Sequence, residues 1–318
     1  MIKRCFLSLC LLGGCLTGVW ADKKTISIAL GYIPHVQFAP FYIADKHGYF
    51  ERENLNVILH YTDTMDAMAL VAQKKIDIAL VDADAVIRAK SEGLPLKIFF
   101  QYYQKLPISI FTINENINSV EKLAGKVIGI PELNGSSYLA LMLFLKHYGL
   151  QDTVQIRRVG YEQVALLNNK KIDAAVGYSN NEPIYFLHQN RWLKVWNTLE
   201  FAPLLSGSVL IGNENLIRES PQLYRRFSRA MQNAINTIMN QPNETFEELL
   251  PVLNIRKEQK NLMRKIFVAT VRQCYSANTT PSEASYDFTI QQMKDLGMLK
   301  KDVSIADIIA KNVISPLA

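Results

Sequence analysis

From Thr25 onward, short runs of apolar and β-branched residues alternate with stretches of helical periodicity. This alternation is typical of βαβ units and largely parallel sheets, so we expect an α/β fold. The pattern predicts strands at 25–30, 56–61, 76–81, 96–101, 108–113, 126–130, 154–159, 172–176 and 208–211. Beyond Pro221 the strand pattern gives way to nearly continuous helical periodicity. We expect this helical C-terminal tail to pack on the completed sheets.

One short sequence occurs twice in the chain. KKIDIALVDAD begins at Lys74, and KKIDAAVGYSN begins at Lys170. In each copy a predicted helix, at 65–73 or 162–169, ends in two lysines, an Ile-Asp pair makes the return, and a buried strand follows. Any tight turn from a helix to a strand can have this sequence. Here each copy also follows a similar β-α-β-α series, and this favours two similar lobes.

Two similar lobes require two crossings if the first lobe holds both the start of the chain and its tail. The candidate crossings are short segments at 102–106 and 201–206, marked by Pro107 and Pro203. Two such segments form a two-strand hinge that bends without unfolding. The predicted domains are lobe 1 at 22–104 and 207–318, and lobe 2 at 105–206. This is a clamshell with a ligand cleft between its halves.

The N-terminus has the pattern of an export signal. Two basic residues precede an apolar run at 5–16, and the small-residue cleavage site VWA follows, so residues 1–21 are predicted to be a signal peptide. The run is shorter than the ~20 apolar residues that span a bilayer. The sequence LGGC also matches a lipobox, and a lipid anchor through Cys15 stays open as an alternative. In either case the mature chain is expected outside the cytoplasm.

Composition narrows the function classes. The chain has 318 residues, of which 49% are hydrophobic and 20% charged, so an ordered globular protein is expected. Only Cys274 of the four cysteines lies beyond position 15, and this excludes a disulfide framework. Lysines and arginines are scattered among acids, so no nucleic-acid binding is expected. The histidines lack paired-ligand spacing, so no metal site is expected.

The chain resembles the periplasmic solute-binding proteins of bacterial ABC importers. The resemblance covers residues 25–210 and lies in four segments: GYIPHVQFAPFYIADKHGYFERENLNVIL, KKIDIALVDAD, LAGKVIGIPELNGSSYLAL and GYEQVALLNNKKIDAAVGYSNNEPI. The group includes binders of thiamine-pyrimidine precursors, riboflavin, sulfonates and nitrate, and YSNNEPI is similar to the first two. The resemblance implies a type II periplasmic-binding clamshell with two mostly parallel sheets flanked by helices. It also implies a monomer without a cofactor or catalysis, which delivers a small-molecule ligand to an inner-membrane ABC permease.

The candidate ligand-binding residues lie in loops that follow predicted strands. In open α/β sheets, ligands bind beyond the carboxyl ends of strands, where the two copies of the repeat diverge. Family members place a stacking aromatic residue after the first strand, and Tyr32 stands near that position here. Another loop opens the helix predicted from 137 to 148, whose free backbone N–H groups suit polar ligand groups. The predicted ligand-binding residues are Tyr32, His35, Phe38, Asp82, Asp84, Asn134, Ser136, Ser137, Tyr138, Tyr178, Asn180, Asn181 and Glu182.

Glu182 is the predicted centre of recognition. Its carboxylate lies just past a strand end, directly before Pro183, and it can accept two hydrogen bonds from the N–H edge of an aminopyrimidine. A structural role is the alternative, because an acid in the first turn of a helix is stabilised by the macrodipole. Helix capping is likewise the alternative for Asp82, Asp84, Ser136 and Ser137.

Thiamine-pyrimidine precursors rank first among the ligands, and riboflavin ranks second. Sulfonates and nitrate rank lower because the predicted cleft offers carboxylates and no cluster of arginines for an anion. Two other functions stay open. A eukaryotic branch of the family makes the thiamine pyrimidine, but it has a cysteine-rich run that this chain lacks. A ligand-sensing subunit that docks on a membrane receptor would use the same clamshell.

Overall fold

A computed structural model of the chain describes residues 23–31, 33–62 and 64–314. These residues form two five-stranded sheets flanked by helices, which confirms the predicted α/β class. Sheet A has the order β2-β1-β3-β10-β4, and sheet B has the order β7-β6-β8-β5-β9. The strands are β1 (Lys24–Leu30), β2 (Leu55–Tyr61), β3 (Ile78–Asp82), β4 (Leu96–Gln101), β5 (Ile108–Thr112), β6 (Val127–Ile130), β7 (Gln155–Arg158), β8 (Ala174–Tyr178), β9 (Lys194–Asn197) and β10 (Ser208–Asn213).

Helices connect these strands and form the C-terminal tail. Within the strand-rich part they are α1 (Ala39–Lys46), α2 (Tyr49–Arg52), α3 (Thr64–Ala72), α4 (Ala83–Ser91), α5 (Gly135–Tyr148), α6 (Gln163–Asn168), α7 (Glu182–His188), α8 (Thr198–Phe201) and α9 (Glu214–Glu219). The tail contains α10 (Pro221–Asn240), α11 (Pro242–Val252), α12 (Lys260–Gln273), α13 (Glu283–Asp295) and α14 (Ile305–Ile308). Two short 3-10 helices lie at Val36–Phe38 and Glu121–Leu123.

The two sheets are built in the same way. In sheet A, β1 pairs in parallel with β2 and β3, and in sheet B, β6 pairs in parallel with β7 and β8. Each sheet also contains a strand that runs antiparallel to its neighbours, β10 in sheet A and β5 in sheet B. Both of these strands directly follow a crossing from the other sheet. The prediction of two mostly parallel sheets is therefore confirmed.

The repeated sequence forms the same turn in both sheets. The first lysine of each copy has a left-handed backbone, with φ of 60° at Lys74 and 54° at Lys170. The aspartate of each copy then accepts a backbone hydrogen bond from the neighbouring strand. Asp77 accepts from Ser27 N at 2.8 Å, and Asp173 accepts from Val127 N at 2.9 Å. In both sheets the aspartate thus connects the helix-to-strand turn to the neighbouring strand.

The chain passes between the sheets twice, after β4 and after α8, and the two connections touch. Tyr102 N and Tyr103 N each donate to Ser208 O at 2.9 Å. A side chain at Gly207 would collide with the backbone of the other connection, so only glycine fits this close approach. The connections lie where the two-strand hinge was predicted. The division of the chain into lobes at these points stays a proposal.

The predicted tail packs on sheet A through a clear apolar stripe. Along α10, the side chains of Tyr224, Phe227, Met231 and Ile235 are buried at helical spacing. The Tyr224 ring meets Phe99 of β4 edge to face, with 5.0 Å between ring centroids. In the described part of the chain, none of the helices has both the length and the apolar character needed to cross a membrane.

Several short elements were not predicted, among them β9, α2, α8 and α9. β9 is an edge strand of four residues that is only partly buried, so its alternation is weak. α8 occupies part of the segment expected to be a plain crossing. It carries a capping box in which the backbone N–H of Asn197 donates to Glu200 at 3.0 Å. That Asn-x-x-Glu spacing was the available sequence signal.

Candidate ligand-binding cleft

A cavity of about 820 Å³ lies between the carboxyl ends of the strands of the two sheets. Sheet A contributes the end of β3, and sheet B contributes the end of β8 together with the loop before α5. Nine of the predicted residues line it: His35, Phe38, Asp82, Asn134, Ser136, Ser137, Tyr178, Asn181 and Glu182. The loops of Asp82 and Glu182 therefore meet at one cleft, as the duplicated sequence implies. Ligand contact by these residues stays a prediction.

The other predicted residues are placed differently. Tyr32 lies outside the described residues. Asp84, Tyr138 and Asn180 do not line the cavity. Tyr138 packs against the apolar core, and Asp84 is only 3% exposed beneath the cleft. Asn180 is fully buried and donates through Nδ2 to Thr270 Oγ1 at 2.8 Å, so it joins the loop after β8 to the tail.

Asp82 joins the two sheets by hydrogen bonds. Its carboxylate accepts from Ser136 Oγ at 2.7 Å and from Tyr178 Oη at 2.6 Å, both on the sheet B side. It also accepts from Ser208 Oγ of β10, its partner within sheet A, at 2.7 Å. We call this group of hydrogen bonds the Asp82 latch. The latch therefore links the two sides of the cleft through hydrogen bonds between side chains.

Asp84, which is buried beneath the cavity, also contacts the Ser136 hydroxyl of the latch. Ser136 Oγ also lies within hydrogen-bond distance of Asp84 Oδ1. Burial, and then the neighbouring charge of Asp82, raise the pKa of Asp84 to about 7. A serine hydroxyl has one proton and cannot donate to two carboxylates at once. In its protonated form, Asp84 can donate the second hydrogen bond to Ser136 Oγ.

Glu182 lies at the first position of α7, and its carboxylate turns back to the end of β8. Its Oε2 accepts a hydrogen bond from Tyr178 N at 2.9 Å. A side chain at Gly177 would lie 2.9 Å from that oxygen, so the glycine makes room for the carboxylate. Burial raises the pKa of Glu182 to about 7 despite hydrogen bonds from the backbone. The group thus changes between carboxylate and acid near neutral pH while it lines the cavity.

His35 is a neutral polar group of the cleft. Burial lowers the pKa of its imidazole to about 4. Its Nδ1 accepts from Gln37 N at 3.4 Å and caps the short helix Val36–Phe38. His35 therefore adds polarity to the wall without adding positive charge at neutral pH.

Three tyrosines converge on the carbonyl oxygen of Gln37. Tyr102 donates to it at 2.8 Å, Tyr275 at 2.9 Å and Tyr103 at 3.3 Å. Tyr102 and Tyr103 line the cavity, and Tyr275 follows α12 in the tail. The cluster fixes the turn before Phe38 to the first connection between the sheets. The sequence signal for this part of the cavity wall was the pair of adjacent tyrosines, Tyr102 and Tyr103, in the crossing predicted at 102–106.

Sequence reasoning missed several other lining residues. They come from helices and loops whose approach to the cleft depends on the tertiary fold: Arg88, Glu132, Tyr161, Tyr185, Leu262, Met263 and Ile266. The charged lining is mostly acidic. Asp82, Glu132 and Glu182 contribute three carboxylates to the lining, and Arg88 contributes a guanidinium group. Glu132 is itself paired with Arg158, with 2.7 Å between Oε1 and Nη2.

The chain matches a protein family described as "NMT1/THI5 like" over residues 35–245. It is 31% identical to the riboflavin-binding protein RibY of Chloroflexus aurantiacus over 70% of this chain, and spans 65% of that relative's length. It is 27% identical to a formylaminopyrimidine-binding protein of Halalkalibacterium halodurans, over 77% of this chain and 76% of that protein. Fungal relatives at 22–25% identity are named 4-amino-5-hydroxymethyl-2-methylpyrimidine phosphate synthases.

The solved structures show the same fold. The periplasmic aliphatic sulphonate-binding protein SsuA of Escherichia coli matches with a TM-score of 0.74 over 92% of this chain and 94% of that chain. The sequence identity in this match is 13%, so the likeness concerns the fold alone. The periplasmic-binding fold expected from the sequence is therefore confirmed.

Proposed function

The chain belongs to the NMT1/THI5-like family, and on that premise we propose that it is an extracytoplasmic solute-binding protein of an ABC importer. Its ligand is a small planar nitrogen heterocycle, which it holds between the two sheets and delivers to a membrane permease. The cavity carries this proposal, because carboxylates and aromatic rings from both sheets line it. Two relatives named as binding proteins for riboflavin and formylaminopyrimidine support the same ligand class.

The lining suits a flat ring with a polar edge. Tyr161, Tyr178 and Tyr185 line the cavity with partly exposed rings, and Glu182 offers a carboxylate that can accept ring N–H groups. An aromatic stack contributes roughly 0.5–1.5 kcal/mol beyond area burial, and a hydrogen bond to a charged group about 1.5–3 kcal/mol. Two contacts of each kind, offset by the entropy of association, give a Kd on the order of 1 μM or below.

The size of the cavity favours a flavin over a single pyrimidine ring. At about 820 Å³ it holds a drug-sized ligand, since such pockets measure about 300–1,000 Å³. A lone pyrimidine would leave much of this volume unfilled. We therefore place riboflavin first, which reverses the order suggested by the sequence alone. A pyrimidine precursor is the second candidate, supported by the formylaminopyrimidine-binding relative.

Small anions fit the charge of the cleft less well. Asp82, Glu132 and Glu182 line the cavity with Arg88 as the counter-charge. An anion placed there would lose its hydration and approach carboxylates, and both effects oppose binding. Sulfonates and nitrate therefore rank below the neutral heterocycles, although sulfonate binders share the fold.

The same site favours binding over catalysis. Cys274, the cysteine of the described residues, is 1% exposed and does not line the cavity. Burial raises the pKa of its thiol, which disfavours the reactive thiolate. The synthases among the relatives keep enzymatic synthesis as the alternative function. Transport through a reconstituted permease distinguishes the two remaining roles. An importer subunit with bound ligand should drive ligand uptake, and a sensor subunit should not.

Location and assembly are part of the proposal. The signal peptide at 1–21 and the alternative anchor at Cys15 lie outside the described residues. We place the mature chain in the periplasm as a monomer that meets its permease at the inner membrane. The named binding proteins among the relatives and the fold of the solved structures support this placement.

A thermal-shift screen of the purified protein tests the ligand class. The probes are riboflavin, formylaminopyrimidine, thiamine and an alkylsulfonate, with nitrate as the small-anion control. Riboflavin should raise the melting temperature in a concentration-dependent way, because a ligand at 100 times its Kd stabilises the folded state by about 2.7 kcal/mol. A shift with the pyrimidine alone would reverse our order of ligands. A shift with the sulfonate alone, or with no probe, would contradict the proposal.

A further inference from the structure

Helix α12 of the tail supplies a contiguous apolar part of the cavity wall. Leu262, Met263 and Ile266 lie on one face of this helix and line the cavity. Ile266 is 3% exposed, and the other two are half-buried. The family match ends at residue 245, so this wall belongs to a part of the chain outside the matched region. The loops after β3, β6 and β8, in contrast, lie within the match.

The same helix is also hydrogen-bonded to the polar loop that follows β8. α12 packs against α7 and against the short helix Val36–Phe38. Thr270 accepts a hydrogen bond from Asn180, and Gln273 Oε1 accepts one from Ser179 Oγ at 2.8 Å. Ser179 and Asn180 belong to the loop between Tyr178 and Glu182. α12 therefore has a fixed position relative to the proposed acceptor of the ligand.

This arrangement sets a chemical requirement on the ligand. The side chains of leucine and isoleucine have no hydrogen-bonding group, and the methionine thioether is only a weak acceptor. A polar ligand edge placed against them would lose its hydration without a replacement partner. An alkyl or aryl edge would instead gain about 0.8 kcal/mol for each buried methyl-sized group.

We propose that Leu262, Met263 and Ile266 of α12 determine specificity by selecting ligands that carry an alkyl or aryl edge beside a polar one. This inference rests on the proposed function, because it places the ligand in this cavity. In a flavin the methyl-substituted benzenoid ring lies against α12, and the pyrimidine-like ring faces Glu182. The shared family loops then recognise the polar edge, and the tail selects the substituent.

Two flavins that differ only at the benzenoid ring test this role. The probes are riboflavin and its analogue without the two ring methyl groups, and both affinities are measured by titration calorimetry. The wild type should prefer riboflavin about tenfold, since two buried methyl groups contribute about 1.6 kcal/mol. Met263→Gln, which keeps the length of the side chain, should bind riboflavin about tenfold more weakly and reduce the preference to below about threefold.

A second variant and a control separate this effect from a loss of folding. Leu262→Asn alters the same wall and should show the same reduced preference. It provides the test if Met263→Gln proves unstable. Met298→Gln changes a half-buried methionine away from the cavity and should leave both affinities unchanged.

Each other outcome contradicts a stated part of the account. A wild type that binds both flavins equally overturns the inference, and so do variants that retain the wild-type preference, while the proposed function stands. A wild type that binds neither flavin overturns the flavin assignment and the α12 role together.

Discussion

Burial raises the pKa of two carboxyl groups of the cleft, Asp84 and Glu182, to about 7, and their positions give them different tasks. Asp84 lies beneath the cavity and shares the Ser136 hydroxyl with Asp82, whereas Glu182 lines the cavity and accepts from Tyr178 N. A buried acid whose pKa is raised binds its proton more tightly in the folded than in the unfolded state. Asp84 should therefore act through the latch and the stability of the fold, while Glu182 should also act directly on the ligand.

The free energy of unfolding should fall as the pH rises from about 4 to about 7, and Asp84 is one cause. The pKa of this group moves from 3.8 to about 7 on folding, so its proton is lost on unfolding within that range. The effect is at most on the order of 4 kcal/mol. Asp84→Asn should flatten the pH dependence and stabilise the protein at pH 8, as measured by urea denaturation at several pH values.

An exposed aspartate provides the control for this measurement. Asp152→Asn lies on the surface beyond α5 and should leave the slope of stability against pH unchanged. Equal slopes for the wild type and Asp84→Asn would contradict a proton held in the latch.

Glu182→Gln should weaken ligand binding about 10- to 100-fold, because hydrogen bonds to a charged acceptor contribute about 1.5–3 kcal/mol. The pKa of Glu182 is raised to about 7. Wild-type affinity should therefore increase as the pH rises through 7 and the carboxylate forms, whereas the variant should show no such increase. Calorimetric titration with riboflavin between pH 6 and 8 measures both effects.

Glu132→Gln is the matched control, since Glu132 also lines the cavity but is paired with Arg158. It should change the affinity less than about twofold. An unchanged affinity in Glu182→Gln would remove Glu182 from the recognition of the ligand.

Among the elements, the repeated turn shows how a local sequence fixes the same structure twice. Lys74 and Lys170 both have positive φ, and an aspartate three residues later bonds to the neighbouring strand in each sheet. A left-handed conformation costs a non-glycine residue roughly 1–2 kcal/mol. The lysines therefore store a small local strain at two equivalent positions.

Lys74→Gly and Lys170→Gly should each raise the free energy of unfolding by about 0.5–1 kcal/mol, because glycine relieves the strain at the cost of some backbone entropy. Chemical denaturation measures the change. Lys75→Gly and Lys171→Gly, one residue further on and without positive φ, should instead lower the stability. If both pairs destabilise equally, the strain assigned to the first lysine is absent.

Most strands and long helices could be predicted because turn and capping residues mark where they begin and end. The buried strands β3 and β8 follow recognisable turns, and α5 is capped by Gly149, which has φ of 68°. β9 was missed because a short, partly exposed edge strand does not need the run of apolar residues that marks a buried strand. The start of α7 was considered only as the alternative role of Glu182, because the acid and the proline in NNEPI also suit a loop.

At the scale of the whole molecule, we expect the Asp82 latch to favour a closed form of the cleft. Ser136 and Tyr178 reach Asp82 from the sheet B side, whereas Ser208 reaches it from within sheet A. Contacts made only in the closed form shift the equilibrium toward that form by their free energy. The hydroxyls of Ser136 and Ser208 should therefore have different effects on closure, although both donate to one carboxylate.

Ser136→Ala should open the ligand-free protein, while Ser208→Ala should not. Loss of one hydrogen bond to a carboxylate costs about 1.5–3 kcal/mol, enough to shift the ratio of closed to open molecules by tenfold or more. Small-angle X-ray scattering should show a larger radius of gyration for Ser136→Ala alone. Identical scattering curves for the two variants would mean that the latch does not control closure.

The sequence predicted which loops meet at the cleft but not every side chain that lines it. His35, Asp82 and Glu182 were found because strand ends gather at one edge of a sheet. Asn180 could not be separated from its neighbours, because its partner Thr270 lies 90 residues further along the chain. Met263 carried no signal, since an apolar residue on an amphipathic helix ordinarily packs in the core.

The crystal structure of the purified protein bound to riboflavin tests the central claim most directly. We expect the ring system between the two sheets, with its polar edge within hydrogen-bond distance of Glu182 and its methyl groups against α12. A ligand bound outside this cavity, or one that contacts only one of the two sheets, would contradict the account.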